Sequence, residues 1–138
     1  SYKVRGKKPP YKKGRLVNIL TELEKYDCFY YKGISDSDGN IHAVAGIVYD
    51  ENSANLILNG SDPLYRKYSG NTLVIDHMLE FASMNCKIFD FEGSMHKDIE
   101  RFYYRFGGEQ TSYFLISKNN ILSKIYLKAL SLIKLLYK

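Results

Sequence analysis

Ile88-Phe-Asp-Phe-Glu-Gly-Ser-Met-His-Lys-Asp-Ile-Glu-Arg-Phe-Tyr-Tyr-Arg-Phe-Gly-Gly108 is the stretch in which strand, turn, helix and stop signals follow one another without ambiguity. Ile88 to Phe91 is a short apolar run that suits a buried strand covered on both faces. Asp90 and Glu92 stand at its end. Ser94 can cap a helix on which Ile99, Phe102, Tyr103 and Phe106 recur at three- and four-residue spacing, giving one apolar face, and Gly107 stops it. Polar side chains gathered at the C-terminal end of a strand are how open α/β sheets line ligand crevices.

The rest of the chain is read around that unit. Its 138 residues suffice for one domain that buries about two thirds of its unfolded surface. The net charge of +5 suggests an anionic partner until it is counted by segment. Residues 1–15 hold seven Lys or Arg and no acid, residues 118–138 hold five Lys and no acid, and the middle carries 8 bases against 15 acids. The body is therefore acidic, and with no zinc-finger, homeodomain or RNA-recognition signature, nucleic-acid binding is not the expected role. Cys28 and Cys86 are far apart in hydrophobic contexts and read as two reduced thiols. No signal peptide precedes the body, which points to the cytoplasm. Metal-ligand spacings, Walker loops and Gly-x-Ser-x-Gly elbows are missing, so no metal is expected.

Residues 1–14, with Pro9-Pro10 and clustered lysines, read as a basic flexible arm or linker; a phosphate-binding arm is the sharper alternative. A helix face of Leu16, Ile19, Leu20, Leu23 and Tyr26 follows. Cys28 to Ile34 and Ile41 to Tyr49 flank the turn cluster Asp36-Ser-Asp-Gly-Asn40 and make a hairpin, with Gly46 at a bulge, a close backbone approach or a plain packing position. Asn55 to Asn59 gives a third strand. His42 and His77 read as exposed residues at a strand end and on a helix surface. A helix from about Thr72 to Asn85 turns Ile75, Met78, Leu79 and Ala82 inward. Its start, beside Arg66, Lys67 and Gly70, is a candidate anion seat, because free amides and the helix dipole favour phosphate; capping by Ser69 or Asn71 explains the same residues. If Gly70 takes a positive φ there, a β-branched replacement would weaken donor affinity more than stability. Gln110 to Ile116 alternates as a fifth strand would, and 119–138 reads as an amphipathic helix with an apolar arc too wide for one domain face.

The order of elements, with Phe102-Tyr-Tyr-Arg-Phe-Gly-Gly108 after a strand and a helix start, resembles the second part of the Gcn5-related N-acetyltransferase (GNAT) fold, whose last helix ends in Tyr-x-x-x-Gly-Phe. Phe89-Asp-Phe-Glu-Gly-Ser94, with Ile99 and Phe102, resembles the branch related to the Fem peptidoglycan aminoacyltransferases, in which two such folds often share a chain. The resemblance implies an α/β (α+β) architecture: a mixed, mostly antiparallel sheet of about five strands flanked by helices, lacking the first strand. The acyltransferase-like domain would span 15–118.

The activity so implied is transfer of an acetyl or aminoacyl group from a coenzyme A thioester or an aminoacyl-tRNA to an amine, carried by a small molecule or a cell-wall precursor. Glu92 would be the base, with Asp90 and His96 in reserve, and Tyr103 the acid that protonates the leaving thiolate; a core tyrosine and turn-stabilising carboxylates are the plainer readings. Arg66, Lys67, Tyr68, Ser69, Gly70, Asn71 and Thr72 would face the pyrophosphate of acetyl-CoA. Here the family's Arg/Gln-x-x-Gly-x-Gly/Ala signature is reduced to Arg66-Lys-Tyr-Ser-Gly-Asn71. That departure leaves open a non-catalytic half that binds acceptor or supports a twin domain. An upstream second half, a homodimer and a membrane surface are, in that order, the covers expected for the C-terminal helix.

Overall fold

The computed structural model describes residues 8, 12–93, 96–114 and 116. The chain divides into two units, 1–108 and 109–138. In the first the order is α1 (Lys13–Lys25), β1 (Phe29–Ser35), β2 (Ile41–Tyr49), β3 (Ser53–Ser61), a 3-10 helix (Pro63–Tyr68), α2 (Gly70–Asn85), β4 (Ile88–Asp90) and α3 (Lys97–Tyr104). The strands form one sheet in the order β1-β2-β3-β4, antiparallel except for the parallel pair β3 and β4. This is the mixed, mostly antiparallel sheet flanked by helices that the sequence implies, with four strands among the described residues.

The core forms because strand alternation places Ala43, Ala45 and Ile47 of β2 and Ala54 and Leu56 of β3 on one face, where α2 packs Val74, Ile75, Met78 and Ala82. Small residues on β2 let the helix approach closely. Tyr30 of β1 joins from the edge, its ring stacked 4.0 Å from that of Phe81. On the far face Gly46 accommodates Phe29, whose ring would meet a Cβ there at 3.0 Å, and the β2–β3 register slips between Gly46 and Ile47, leaving Ile57 as the extra residue. Gly46 therefore serves both a bulge and a close approach.

Four expectations change. β4 is not buried: Ile88 is 65% exposed and only Phe89 is half-buried, because the strand pairs along one edge and α2 covers one face alone. α1 forms as its periodicity predicts, but Leu16, Leu20 and Leu23 are only half-buried and Ile19 is exposed. Residues 110–114 and 116 adopt no regular structure; alternation assigns side chains to faces but does not supply a partner strand. His42 is buried rather than exposed. The helix expected over 119–138, most of the arm over 1–14 and the capping Ser94 lie outside the described residues; the N-cap position of α3 is His96. Among the described residues no helix is long and apolar enough to cross a membrane, and none of their His, Cys, Asp and Glu form a group able to hold a metal.

Candidate active site

β3 and β4 run parallel but pair only from Ser53 with Ile88 to Asn55 with Asp90. Beyond that point β4 ends, while β3 continues through the Ile57 bulge to Ser61. At about 3.3 Å per residue this leaves about 20 Å of β3 without a β4 partner among the described residues. The residues singled out in the sequence fall in two clusters, one following the far end of β3 and one following the end of β4.

At the far end is the corner between the 3-10 helix and α2. Asp62 caps the 3-10 helix by accepting from the Leu64 amide at 2.9 Å, with Pro63 in its first turn. Arg66, Lys67 and Tyr68 form its exposed last turn, with the Lys67 ammonium 4.8 Å from the Tyr68 ring centre. Ser69 then takes the left-handed conformation, φ 58°, and its carbonyl accepts from Thr72 at 2.9 Å and Leu73 at 3.2 Å. No side chain caps the start of α2. The first-turn amides of Gly70 and Asn71 are left over by the helix, the arrangement that favours an anion. Capping by Ser69 is thus not what these residues do. Gly70 is buried and helical, not at positive φ; it is glycine because a Cβ there would lie 2.9 Å from that of His42. Asn71 Oδ1 is buried without a partner, an unsatisfied acceptor at the same corner.

At the near end Asp90 Oδ1 accepts from the Glu92 amide at 2.7 Å and holds the turn. Glu92 and Gly93 both take the left-handed region, φ 59° and 58°, and the Glu92 side chain is exposed. Phe91, between the two carboxylates, stacks on Tyr103 of α3 at 4.5 Å. Tyr103 is half-buried beside Phe102 and Phe106, the apolar face predicted for α3. His96 sits at the start of that helix.

Sequence reasoning missed the His42 cluster. Its Nε2 lies 3.1 Å from Asp36 Oδ2, and its ring stacks 4.3 Å from Tyr65 and 5.4 Å from Tyr68. Hydrogen bonds from the Asn40 side chain and amide, from His42 and from the Asp38 amide hold the Asp36 carboxyl at about 2, below its usual 3.8. His77, by contrast, is a surface residue 3.5 Å from Glu80. Both cysteines are free, and burial pushes the Cys86 thiol up.

No protein-family model matches the chain, and no curated protein matches it closely enough to count as a relative. Solved structures do match. AAC(6')-Iy, in complex with the bisubstrate analog CoA-S-monomethyl-acetylneamine, superposes with a TM-score of 0.65 at 13% identity, over 81% of this chain and 83% of that one. Glucosamine-6-phosphate N-acetyltransferase from Arabidopsis thaliana gives 0.63 at 14%, over 84% and 85%. A Trypanosoma brucei acetyltransferase gives 0.60 at 18%, over 80% and 82%. The chain has the GNAT fold. Within that fold the two candidate clusters follow β3 and β4 in the chain.

Proposed function

We propose that this chain is an acyltransferase domain that moves an acyl group from a coenzyme A thioester to an amine. The carrying observation is that β4 stops after three paired residues while β3 runs on, with a phosphate-favouring helix start following β3 and a carboxylate and a phenol following β4. An extended donor suits that shape, with its pyrophosphate at Gly70 and Asn71, flanked by Arg66 and Lys67, and its thioester toward Glu92 and Tyr103. Likeness to a fold seen with a coenzyme A bisubstrate analog supports the donor class.

The amine is a nucleophile only when neutral, so the Glu92 carboxylate takes its proton. The nitrogen adds to the thioester carbon, the C–S bond breaks, the thiolate takes the Tyr103 hydroxyl proton, and the second proton shed by the acylated nitrogen returns to the phenolate. An amide and a free thiol result, with no redox partner required. Most of the rate comes from holding the two reactants in line. Isothermal calorimetry with acetyl-CoA tests the donor: micromolar to millimolar binding is expected, and none at millimolar ligand removes it.

A second reading is favoured by the Arg66-Lys-Tyr-Ser-Gly-Asn71 corner, where Ser69 and Asn71 stand in place of smaller residues. There the chain keeps the fold as a non-catalytic half that binds acceptor or supports a twin domain, as in the Fem-like branch with an aminoacyl-tRNA donor. Unchanged turnover of the assembled protein carrying Glu92→Gln and Tyr103→Phe would favour it.

A further inference from the structure

His42 is the single buried side chain with a titratable group among the described core residues, and the proposed chemistry does not use it. Its place in the sheet is irregular. Ile34 faces Ala43 and Ser35 faces Ile41, so the β1–β2 register passes over His42, which bulges out of the ladder. Three ties converge on it. The imidazole Nε2 meets Asp36 in the β1–β2 turn at 3.1 Å, and Asn40 and Asp38 hold that carboxylate in turn. The ring lies nearly parallel to Tyr65, at 9° and 4.3 Å, and overlaps Tyr68 in the same 3-10 helix. The Cβ fills the space that a side chain on Gly70 would need, and the His42 carbonyl accepts from the Asp62 amide at 2.9 Å.

We propose that His42 is the positioning residue of the donor corner, coupling the β1–β2 turn to the junction of the 3-10 helix and α2 and thereby fixing the direction of the Gly70 and Asn71 amides. Its functional consequence rests on the acyl-donor reading; its geometric content does not. The 3-10 helix contributes no buried residue of its own, so the stack on His42 is a principal anchor for it. Ser69, held left-handed between two helices, has no side-chain bond to keep it there. Beyond the backbone bonds of Ser69 to Arg66, Thr72 and Leu73, the corner is supported from beneath, and what lies beneath Gly70 is His42, with Ala43 and Ile34 beside it.

The test uses the full chain and four variants, His42→Ala, His42→Phe, Tyr65→Leu and Asp36→Asn, with backbone amide NMR of residues 69–72 beside steady-state kinetics on acetyl-CoA. His42→Ala should move the Gly70 and Asn71 amide signals and raise KM for acetyl-CoA about tenfold or more while kcat stays within about twofold. His42→Phe, which keeps the stack, should recover most of that loss, and Asp36→Asn should give a smaller displacement. Amide signals left in place by His42→Ala overturn the proposal whatever the donor is, as does a displaced corner with unchanged KM. If His42→Ala does not fold, Tyr65→Leu removes the stack from the outer side and must displace the same amides; an undisturbed corner then overturns it. A wild-type chain that binds neither acetyl-CoA nor inorganic pyrophosphate defeats the donor reading alone, while the amide displacement still decides whether His42 positions the corner.

Discussion

Asp27, Ser69 and Glu92 are the described non-glycine residues in the left-handed region, and two of them belong to the candidate clusters. Each such residue costs about 1–2 kcal/mol of backbone strain. Neither the Ser69 nor the Glu92 side chain makes a hydrogen bond to a described residue that offsets that cost. Glycine should therefore be tolerated better than the native residue on grounds of stability alone. Glu92→Gly is expected to leave the melting temperature unchanged or raised, yet to lower turnover by about 10²-fold or more, as loss of a general base does. Tyr103→Phe keeps the ring on Phe91, so its stability should stay within about 0.5 kcal/mol of wild type, and a fall in kcat would then belong to the hydroxyl. Gly70→Val behaves oppositely: with His42 2.9 Å from the added Cβ, overpacking should cost about 1–3 kcal/mol, measured by denaturant unfolding. Asp36 adds a pH dependence. Its folded pKa of about 2 lies below the ordinary 3.8, so the stability it contributes is present above about pH 4 and is lost as pH falls through 2. Asp36→Asn should flatten acid unfolding across that window.

Elements whose residues speak for themselves were legible before any coordinates. The hairpin was marked by Asp36-Ser-Asp-Gly-Asn40 between two β-prone runs, and Asp36 does hold that turn through the Asp38 and Asn40 amides. The α3 face of Ile99, Phe102, Tyr103 and Phe106 is the half-buried one, and Gly107, at φ 80°, stops the helix. What failed depended on partners. The apolar run at Ile88 could not reveal that β4 would pair along one edge for three residues, and the alternation over 110–116 says nothing of a neighbouring strand. His42 was misread for the same reason: proximity to a turn implies exposure unless a later segment, here Tyr65 and Tyr68, folds over it. The sequence marks the 66–72 corner as a candidate anion seat but does not show why Gly70 stands there, since Gly70 is required by packing and not by φ. These differences set expectations for truncation. Met78→Ala on α2, fully buried, should cost about 2–5 kcal/mol, whereas Leu16→Ala on the half-buried face of α1 should cost well under that, in the same denaturant series.

Across the first unit, α2 covers only one face of the sheet. On the other, Tyr31 is 61% exposed, Val44 45% and Ile88 65%, and Val17 and Ile19 of α1 are exposed as well. Side chains of this size on the outside of one fold form the kind of surface that marks an interaction site. For the C-terminal helix the sequence expects a cover, ranking an upstream half first, a second copy next and a membrane last, and the same three occupants are weighed for this face. Hydrophobic contact between proteins is little weakened by salt, whereas attraction to anionic lipid is screened within about 8 Å at physiological ionic strength. The chain on its own is therefore expected to self-associate, with a scattering mass above that of the monomer that persists at high salt. Replacing Tyr31 and Val44 by lysine should return it to a monomer without loss of folded stability, since neither is buried. Expressed beside an additional half that covers this face, the wild-type chain should show no such excess mass. A chain that stays monomeric alone and instead binds anionic vesicles in a salt-sensitive manner would reverse the ranking and give the face to a membrane surface.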